Sequence, residues 1–562
     1  MVGFFSCFRR GSSGASNPQA FHFSPPFNDP FALPHISDRL IMPAIESNYR
    51  TKSGFGCSSF EILSDNLGSF CSSVTVGLID RHPDGAAANC CDRGNSIEGS
   101  ASPKVDANDM RRIYVHDDDR VLVKIVHFGH PSSVGIEYDE NGNWQFRPLC
   151  ERRARRAGPR AWIYFNPEQV KAAIVTCGGL CPGLNDVIRQ VVFTLETYGV
   201  NHILGIQYGF KGFVDKNYPP IKLSRKLVKT INMEGGSFLG VSRGCPPLKD
   251  IVDRLEEWNI NMFYVIGGNG SHAGATAIYE QCEKRKMKMV VVGIPKTIDN
   301  DIEILDKTFG FDTAVEEAQR AINAAYTEAS SAYNGVGIVK LMGRQSGYIT
   351  MYATIASGQV DIVLIPEVTF TMGGKHGVLE YMKQKIELNG ICVVVVAEGA
   401  GQDLLEGVGG LDASGNPILG DFGKWFTGKV KEFFATQKIP IDAKYIDPTY
   451  MIRARVCNSG DHIFCSILGQ NAVHGAFAGY TNITIGVVNT HYCFLPIPIV
   501  IKKPRMVDPN SVMYHRCVTS TGQPDFNAPL RVPQLATSPA GKQGSLQPHP
   551  PPSRGSIPRG RL

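Results

Sequence analysis

The stretch MVVVGIPKTIDNDI, residues 289–302, gives the clearest indication of the fold class. Its first six residues are almost all apolar, which is typical of a buried parallel strand. A threonine and two aspartates follow at the strand's C-terminal end, where open α/β sheets bind ligands. Asp299 and Asp301 are two positions apart, so in an extended segment both lean to the same side. One carboxylate could accept a proton while the other orients a metal ion. A polar loop with a helix N-cap is the ordinary alternative.

Apolar runs suited to buried strands recur along the chain, and helix-like segments separate most of them. Residues 248–258 place apolar side chains at helical spacing, and residues 311–329 are rich in Ala and Glu with a similar period. This alternation predicts a doubly wound α/β architecture with two sheets. The predicted strands are residues 171–176, 202–207, 262–266, 289–294, 336–341, 361–365, 391–397 and 483–488.

The composition suits a globular protein, with 43% hydrophobic and 19% charged residues among 562 and a net charge of +5. No run of about 18 apolar residues occurs, so we expect no membrane-spanning helix. Arginines cluster within residues 152–160 and near the C-terminus without interleaved aromatics. That pattern argues against nucleic-acid binding and favours a solvated linker or an inter-subunit contact. Fifteen scattered cysteines indicate free thiols in a reducing compartment.

The two ends of the chain differ from its middle. Residues 1–60 are rich in Ser, Phe, Pro and Gly and begin poor in acidic residues, which predicts an organellar transit peptide or a disordered tail. Residues 61–165 form an N-terminal extension. Residues 526–562 are mostly Pro, Gly, Ser, Gln and Arg, and we expect them to be disordered.

Three glycine-bearing strand exits accompany the aspartate loop. Gly178-Gly179 and Gly268–Ser271 each follow a predicted strand, where backbone N–H groups can approach phosphate oxygens. Ser271 could cap the helix that follows. Met342-Gly343-Arg344 brings a planar guanidinium suited to phosphate, although a surface salt bridge is the common use of such an arginine. Each signal alone is weak, and together they predict an α/β enzyme that handles phosphate.

Taken together, these motifs resemble the ATP-dependent 6-phosphofructokinases, particularly the plant branch, over about residues 110–525. The resemblance implies a catalytic core at 166–525 with two interleaved Rossmann-like lobes. The ATP lobe is mainly 166–310 and the sugar-phosphate lobe mainly 311–500. It further implies transfer of the γ-phosphoryl group of ATP to the 1-hydroxyl of fructose 6-phosphate, a Mg²⁺ cofactor, and a homo- or hetero-oligomer such as a tetramer.

The resemblance also assigns roles to individual residues. Asp299 would be the proton acceptor, and Asn269 and Asp301 would hold the metal. Lys444 lies where bacterial enzymes carry an arginine from the neighbouring subunit. The nucleotide-binding residues would be Gly178, Gly179, Arg243, Gly244, Gly268, Asn269, Gly270 and Ser271. The sugar-binding residues would be Thr297, Ile298, Asp299, Met342, Gly343, Arg344, Glu398, Tyr450, Met451, Ile452, Arg453 and Lys444.

The chain departs from the family pattern at three places. Asn269 replaces the usual aspartate beside magnesium, and its amide oxygen can still bind a hard cation without adding charge. Gly270 leaves room for ATP, where diphosphate-using relatives carry Asp, but Lys296 is the residue that those relatives have. The plant ATP branch combines the two, which favours ATP. Gly335 replaces an arginine that bacterial enzymes donate across the subunit interface, so bacterial-type regulation is not assumed.

Several alternatives stay open at this stage. A diphosphate-dependent phosphofructokinase is the nearest, a non-catalytic regulatory subunit is suggested by Asn269, and an NAD or lipid kinase would share the glycine-rich loop. The acid-poor start and the stretch around Asn269 resemble plastid members, so we expect a chloroplast location, with the cytoplasm as the alternative. Cys90 with Cys91, or Cys177 with Cys181, could respond to thiol redox state or could be small packing residues.

Overall fold

A computed structural model describes the fold over residues 31–38, 40, 42, 44–47, 114–123, 136–138, 144–146, 153–405, 409–411 and 417–526. Cys90, Cys91 and the C-terminal tail from residue 527 lie outside these ranges. The strands are β1 Ile45–Glu46, β2 Arg120–Leu122, β3 Ile136–Tyr138, β4 Trp144–Phe146, β5 Arg153–Arg156, β6 Trp162–Ile163, β7 Lys171–Thr176, β8 His202–Ile206, β9 Ile221–Lys222, β10 Met262–Gly267, β11 Val290–Pro295, β12 Gly335–Leu341, β13 Ile362–Leu364, β14 Ile391–Ala397, β15 Asp442–Ile446, β16 Ile483–Val488 and β17 His491–Pro496. The α-helices are α1 Leu184–Tyr198, α2 Leu248–Glu257, α3 Asn269–Lys284, α4 Phe311–Ser330, α5 Tyr348–Ser357, α6 Val378–Asn389, α7 Phe422–Thr436, α8 Thr449–Arg453, α9 Ser459–Phe477, α10 Ile497–Val500 and α11 Val512–Thr521.

The larger sheet has nine strands within the described residues, in the order β2-β5-β17-β16-β11-β10-β7-β8-β9. Its centre, β16-β11-β10-β7-β8, is parallel, and antiparallel strands extend it on both sides. Every residue of β10 and β11 is buried, which explains why both are almost continuously apolar. The doubly wound architecture predicted from these runs is confirmed.

The smaller sheet is parallel, with the order β13-β14-β12-β15 in the described part of the chain. Three of its strands were predicted, and β15 was not. The sequence of β15, DAKYI, mixes charged and apolar residues because every residue of this edge strand is only half-buried. Periodicity therefore gave no signal for it.

The chain crosses between the two lobes more than once. After completing the smaller sheet and α9, it returns to add β16 and β17 to the larger sheet. Residues 483–496 therefore extend the larger sheet, although they fall within the range predicted to be mainly the sugar-phosphate lobe, 311–500. The parallel pairing of β16 with β11 attaches this stretch to the larger sheet. Helix α9 packs closely on α1, where a side chain added to Gly469 would lie 3.2 Å from the carbonyl oxygen of Val187.

Part of the N-terminal segment predicted to be a transit peptide or a disordered tail packs against the core. Ile36 is fully buried, and its N–H donates to the Gly479 carbonyl at 2.9 Å. Phe31 is 5% exposed in a neighbouring apolar cluster. Strand β1 pairs antiparallel with β6. Within the extension at 61–165, β2 and β5 become strands of the larger sheet.

Part of the arginine cluster predicted as a linker or subunit contact is built into the fold. Its strand β5 pairs with β17 and β2. Arg160 is 4% exposed, and its Nε donates to Asp117 Oδ1 at 2.8 Å. Tyr480 donates to the same oxygen at 2.6 Å. These contacts satisfy a buried guanidinium, so Arg160 and strand β5 are structural rather than parts of a solvated linker. Among the described helices, none is both long and apolar enough to cross a membrane.

Candidate active site

A cleft of ≈ 740 Å³ opens where the carboxyl ends of the two sheets face each other. Its walls are the loops that follow β7, β10 and β11 on one side and β12, β14 and β15 on the other. Loops distant in sequence meet here because parallel strands present their carboxyl ends at one edge. The predicted site residues that line this cleft are Gly178, Gly179, Arg243, Gly244, Gly268, Asn269, Gly270, Ser271, Thr297, Ile298, Asp299, Asp301, Met342, Arg344, Glu398, Tyr450 and Arg453.

Four of the predicted residues lie outside this lining. Ile452 is fully buried in the main core, and Met451 is 78% exposed, so α8 presents Tyr450 and Arg453 to the cleft instead. Lys444 lies on β15, where its Nζ is 3.1 Å from an oxygen of Asp442. The fourth, Gly343, makes the turn after β12 with a φ of +131°, a conformation that favours glycine.

The aspartate loop is held in one shape by its own side chains. Thr297 Oγ1 donates to Asp301 Oδ1 at 2.6 Å and accepts the Asp299 N–H at 3.2 Å. Asn300 adopts a left-handed φ of 57°, and its side chain accepts the N–H of Thr308 at 3.1 Å. The left-handed residue turns the chain sharply after the strand. As a result, both carboxylates stay at the cleft.

Asp299 carries the most perturbed carboxyl group of the cleft. Its Oδ1 is enclosed and has no hydrogen-bond partner within the described residues. Burial, and after it the negative charges of Asp301 and Glu398, raise its pKa from 3.8 to about 8, against the opposing effect of Arg453 and Lys296. An enclosed carboxyl with a pKa near neutral can take up a proton from a bound hydroxyl, as a general base requires.

Lys296 links the aspartate loop to the glycine loop after β7. Its Nζ donates to the Gly179 carbonyl at 2.7 Å, and burial lowers its pKa. A side chain added to Gly178, whose φ is +85°, would lie 3.1 Å from that ammonium group. One added to Gly179 would lie 2.3 Å from the Arg453 guanidinium. Glycines at 178 and 179 therefore let two cations approach the backbone, which makes this wall suited to anionic phosphates.

The loop after β10 leads directly into α3, whose N-terminus opens onto the cleft. The N-cap residue is Gly268, without a side-chain cap, so the expected capping role of Ser271 is wrong: Ser271 lies inside the first turn. A side chain added to Gly270 would meet nothing within 4 Å. Asn269 Oδ1 is enclosed and unpaired within the described part of the chain. An unpaired amide oxygen beside a helix N-terminus is available to bind a cation, including one that accompanies a bound phosphate.

His272 fixes this helix end from behind. Its Nδ1 lies 3.1 Å from the Gly268 carbonyl oxygen and its Nε2 lies 3.0 Å from Thr484 Oγ1 on β16. Burial lowers the pKa of His272 to about 4, so the ring is neutral at physiological pH. A neutral ring adds no positive charge behind the glycine loop.

The opposite wall is built from the ends of β12 and β14. The Glu398 N–H donates to the Leu341 carbonyl at 2.8 Å, and the Gly399 N–H donates to the Gly343 carbonyl at 3.0 Å. Burial raises the pKa of Glu398, against the opposing effect of Arg344. Arg344 donates to the carbonyl oxygen of Pro417 across the cleft mouth. These backbone bonds hold Arg344 and Glu398 side by side.

Lys340 is a cleft residue that the sequence analysis missed. Its Nζ is 2.7 Å from Asp447 and 3.5 Å from Asp421, and these contacts raise the pKa of Lys340 despite its burial. Asp447 in turn accepts the Thr449 hydroxyl at 2.6 Å, at the start of α8. The signal was present, since Lys340 interrupts the apolar strand GVGIVKL. A lysine inside a buried strand needs a partner.

The thiols beside the nucleotide loop are buried. Burial raises the pKa of Cys177 to about 12 and raises that of Cys181 as well. Both are free cysteines. A raised pKa keeps a thiol protonated and unreactive, which favours packing over redox chemistry for this pair.

Comparison with known proteins accounts for this arrangement. A model of the phosphofructokinase family matches residues 171–476, which contain all the strand ends that form the cleft. The chain belongs to the phosphofructokinase family. The resemblance inferred from the motifs is therefore confirmed.

Relatives of this phosphofructokinase include several plant proteins. ATP-dependent 6-phosphofructokinase 5, chloroplastic, of Arabidopsis thaliana is 60% identical over 414 residues, covering 74% of this chain and 76% of the relative. ATP-dependent 6-phosphofructokinase 7 of Arabidopsis thaliana is 48% identical over 426 residues, covering 75% of this chain and 84% of the relative. The fold agrees with the crystal structure of a pyrophosphate-dependent phosphofructokinase from Marinobacter aquaeolei, with a TM-score of 0.53 and 18% sequence identity. The match covers 63% of this chain and 92% of the Marinobacter chain.

Proposed function

We propose that this phosphofructokinase transfers the γ-phosphoryl group of ATP to the 1-hydroxyl of fructose 6-phosphate, giving fructose 1,6-bisphosphate and ADP. The observation that carries the proposal is Asp299, an enclosed carboxyl with an unpaired oxygen between a glycine-lined cationic wall and an arginine–glutamate wall. Arabidopsis relatives named ATP-dependent 6-phosphofructokinases support it.

In this proposal the protein aligns the reactants and offsets charge, which is most of what phosphoryl transfer requires. Asp299 accepts the proton of the attacking hydroxyl. Lys296 and Arg453 meet at the glycine loop, where they balance the negative charge of the phosphates. Glu398 and Arg344 form the wall that would receive the sugar and its phosphate.

The residues at the start of α3 fit magnesium, which we propose as the cofactor. Asn269 contributes an enclosed, unpaired amide oxygen, and Asp301 adds a carboxylate to the same cleft. Both are hard oxygen ligands of the kind that Mg²⁺ prefers. Bound there, the ion would neutralise charge on the nucleotide phosphates.

Gly270 supports ATP over diphosphate as the donor. The space beside it is open, so nothing at this position obstructs a nucleotide. Lys296, the residue shared with diphosphate-using relatives, contacts the Gly179 carbonyl instead of closing that space. The lysine and the open glycine position are therefore compatible in one cleft.

A donor assay tests the proposal. Purified protein is supplied with fructose 6-phosphate, Mg²⁺ and either ATP or diphosphate, and the product is identified by ³¹P NMR. We expect fructose 1,6-bisphosphate with ATP. Turnover with diphosphate alone would make the chain a diphosphate-dependent enzyme, and inactivity with both donors would favour a regulatory subunit.

We also propose a plastid location and an oligomeric enzyme. The acid-poor N-terminus supports the location, as do two Arabidopsis relatives whose names include the word chloroplastic. Because Phe31 and Ile36 pack into the fold, any leader would be cleaved before residue 31. Mass spectrometry of the N-terminus of protein recovered from plastids tests this, and a mature start beyond residue 36 would contradict it.

A further inference from the structure

A second group of chemically reactive side chains lies behind the glycine loop, outside the cleft. A carboxylate oxygen of Asp186, Cys457 Sγ and a ring nitrogen of His462 all lie within 4.8 Å of one another. Asp186 Oδ1 is 2.6 Å from His462 Nδ1, and Asp186 Oδ2 accepts the Cys457 thiol at 3.3 Å. Among the described residues, no other group of three or more His, Cys, Asp or Glu side chains brings its ligand atoms this close together.

A second thiol lies next to this group. Cys465 is fully buried and interacts with the thiol of Cys457, and this contact and burial raise its pKa. A side chain added to Gly183 would lie 2.5 Å from Cys465 Sγ and 3.8 Å from Cys457 Sγ, so both sulfurs face the same spot. Two thiols, an imidazole and a carboxylate are a ligand set that tetrahedral zinc sites use.

The surroundings suit a metal ion that is held firmly and reached from solvent. The side chain of Asp186 is 8% exposed, whereas that of His462 is 32% exposed and provides the opening. In tetrahedral zinc sites the ligand atoms are about 3.3 to 3.8 Å apart, given metal–ligand distances near 2.0 to 2.3 Å. The ligand atoms of Asp186, Cys457 and His462 lie within 4.8 Å of one another, so side-chain shifts that gather these three and Cys465 around one ion would complete the coordination.

We propose that Asp186, Cys457, Cys465 and His462 form a site for a thiophilic divalent cation of the zinc class. On binding, the metal replaces the protons of the two thiols, and the proton shared by Asp186 and His462 moves to the other ring nitrogen, so two protons leave for one ion. Two thiolates and one carboxylate then offset the positive ends of α1 and α9, which otherwise disfavour a cation.

The site would connect parts of the chain that the cleft depends on. Asp186 lies in the first turn of α1, directly after the loop that contains Gly178 and Gly179. Cys457 follows α8, which carries Arg453, by four residues. A bound ion would therefore tie the nucleotide loop to α8, and we expect it to stabilise the fold without entering the cleft.

Cobalt substitution tests the site with a readout independent of turnover. Tag-free protein is stripped with a chelator, reloaded with Zn²⁺ or Co²⁺, and analysed by elemental mass spectrometry and ultraviolet absorption. We expect one zinc per chain and an intense thiolate-to-cobalt absorption, which oxygen ligands at the magnesium site cannot produce. Replacing both Cys457 and Cys465 with serine should abolish this absorption, and His462→Gln should weaken zinc binding by at least tenfold.

Two matched variants control for unrelated thiols and imidazoles. Cys245→Ser removes an exposed thiol at the cleft, and His491→Gln removes an exposed histidine on β17. Both should leave the cobalt absorption and zinc stoichiometry unchanged. The proposal is overturned if reloaded wild-type protein holds no stoichiometric zinc, or if the variant with both Cys457→Ser and Cys465→Ser keeps the thiolate absorption. Neither result depends on whether the enzyme uses ATP.

Discussion

Replacing Asp299 with asparagine should remove activity and stabilise the protein at the same time. The wild-type carboxyl is enclosed, has an unpaired oxygen, and lies near two other acidic side chains. Asparagine keeps the shape of the side chain but carries no charge. We therefore expect turnover to fall by about 10²-fold or more, since a positioned general base is lost. The ligand-free protein should at the same time become more stable to unfolding.

The magnitude of the stability gain follows from the pKa of Asp299. The folded-state pKa is about 8 and the ordinary value is 3.8, so the carboxyl favours folding most strongly below pH 3.8. That stability is lost as pH rises to about 8, at about 1.4 kcal/mol per pH unit. Asp301 and Glu398, which repel the charge of Asp299, stay in place in the variant. Removing the charge of Asp299 should therefore raise the free energy of unfolding by about 2 to 4 kcal/mol at pH 8.

Thermal unfolding of ligand-free protein across pH measures this effect. The melting temperature of Asp299→Asn should exceed that of wild type by a few degrees at pH 8. The difference should shrink steadily toward pH 6. Asp508→Asn, which neutralises an exposed carboxylate, serves as the control and should follow wild type at every pH. Parallel curves for wild type and Asp299→Asn would refute a buried, charge-strained carboxyl at this position, and near-normal turnover would refute its role as the base.

Three further substitutions test other parts of the argument. Glu398→Gln removes a negative charge that raises the pKa of Asp299, so the acid limb of the kcat/KM profile should move to lower pH; an unchanged or upward-shifted limb would contradict this. Gly270→Asp places a charge in open space, so we expect the KM for ATP to rise by about tenfold or more, with an unchanged melting temperature, because charge repulsion at the phosphates costs over ~1.4 kcal/mol. A normal KM would show that this position does not adjoin the nucleotide. Ile36→Ala empties a fully buried site and should destabilise the fold by about 2 to 4 kcal/mol in urea unfolding, whereas a neutral effect would mean that residues 31–38 are dispensable.

The sequence predicted the central strands well because their burial is uniform. Strands β7, β14 and β16 begin and end where the apolar runs do, since a strand covered on both faces excludes charged side chains from its interior positions. Edge strands carry no such signal. For that reason β15 was missed. Strand β5 lies between β2 and β17, but three of its four residues are arginines, so it was interpreted as a linker or a subunit contact.

The amino-acid order is enough to identify the side chains at the strand ends: the aspartates of residues 299–301, the glycine loops, and the motifs that relate the chain to its family. How these groups act on one another depends on the folded arrangement. It places Glu398 near Asp299, brings Lys296 to the Gly179 carbonyl, and buries Ile452 while Arg453 faces the cleft. The physical reason is that a strand pattern reports local burial, whereas a shifted pKa depends on charges that meet through space from separate strands.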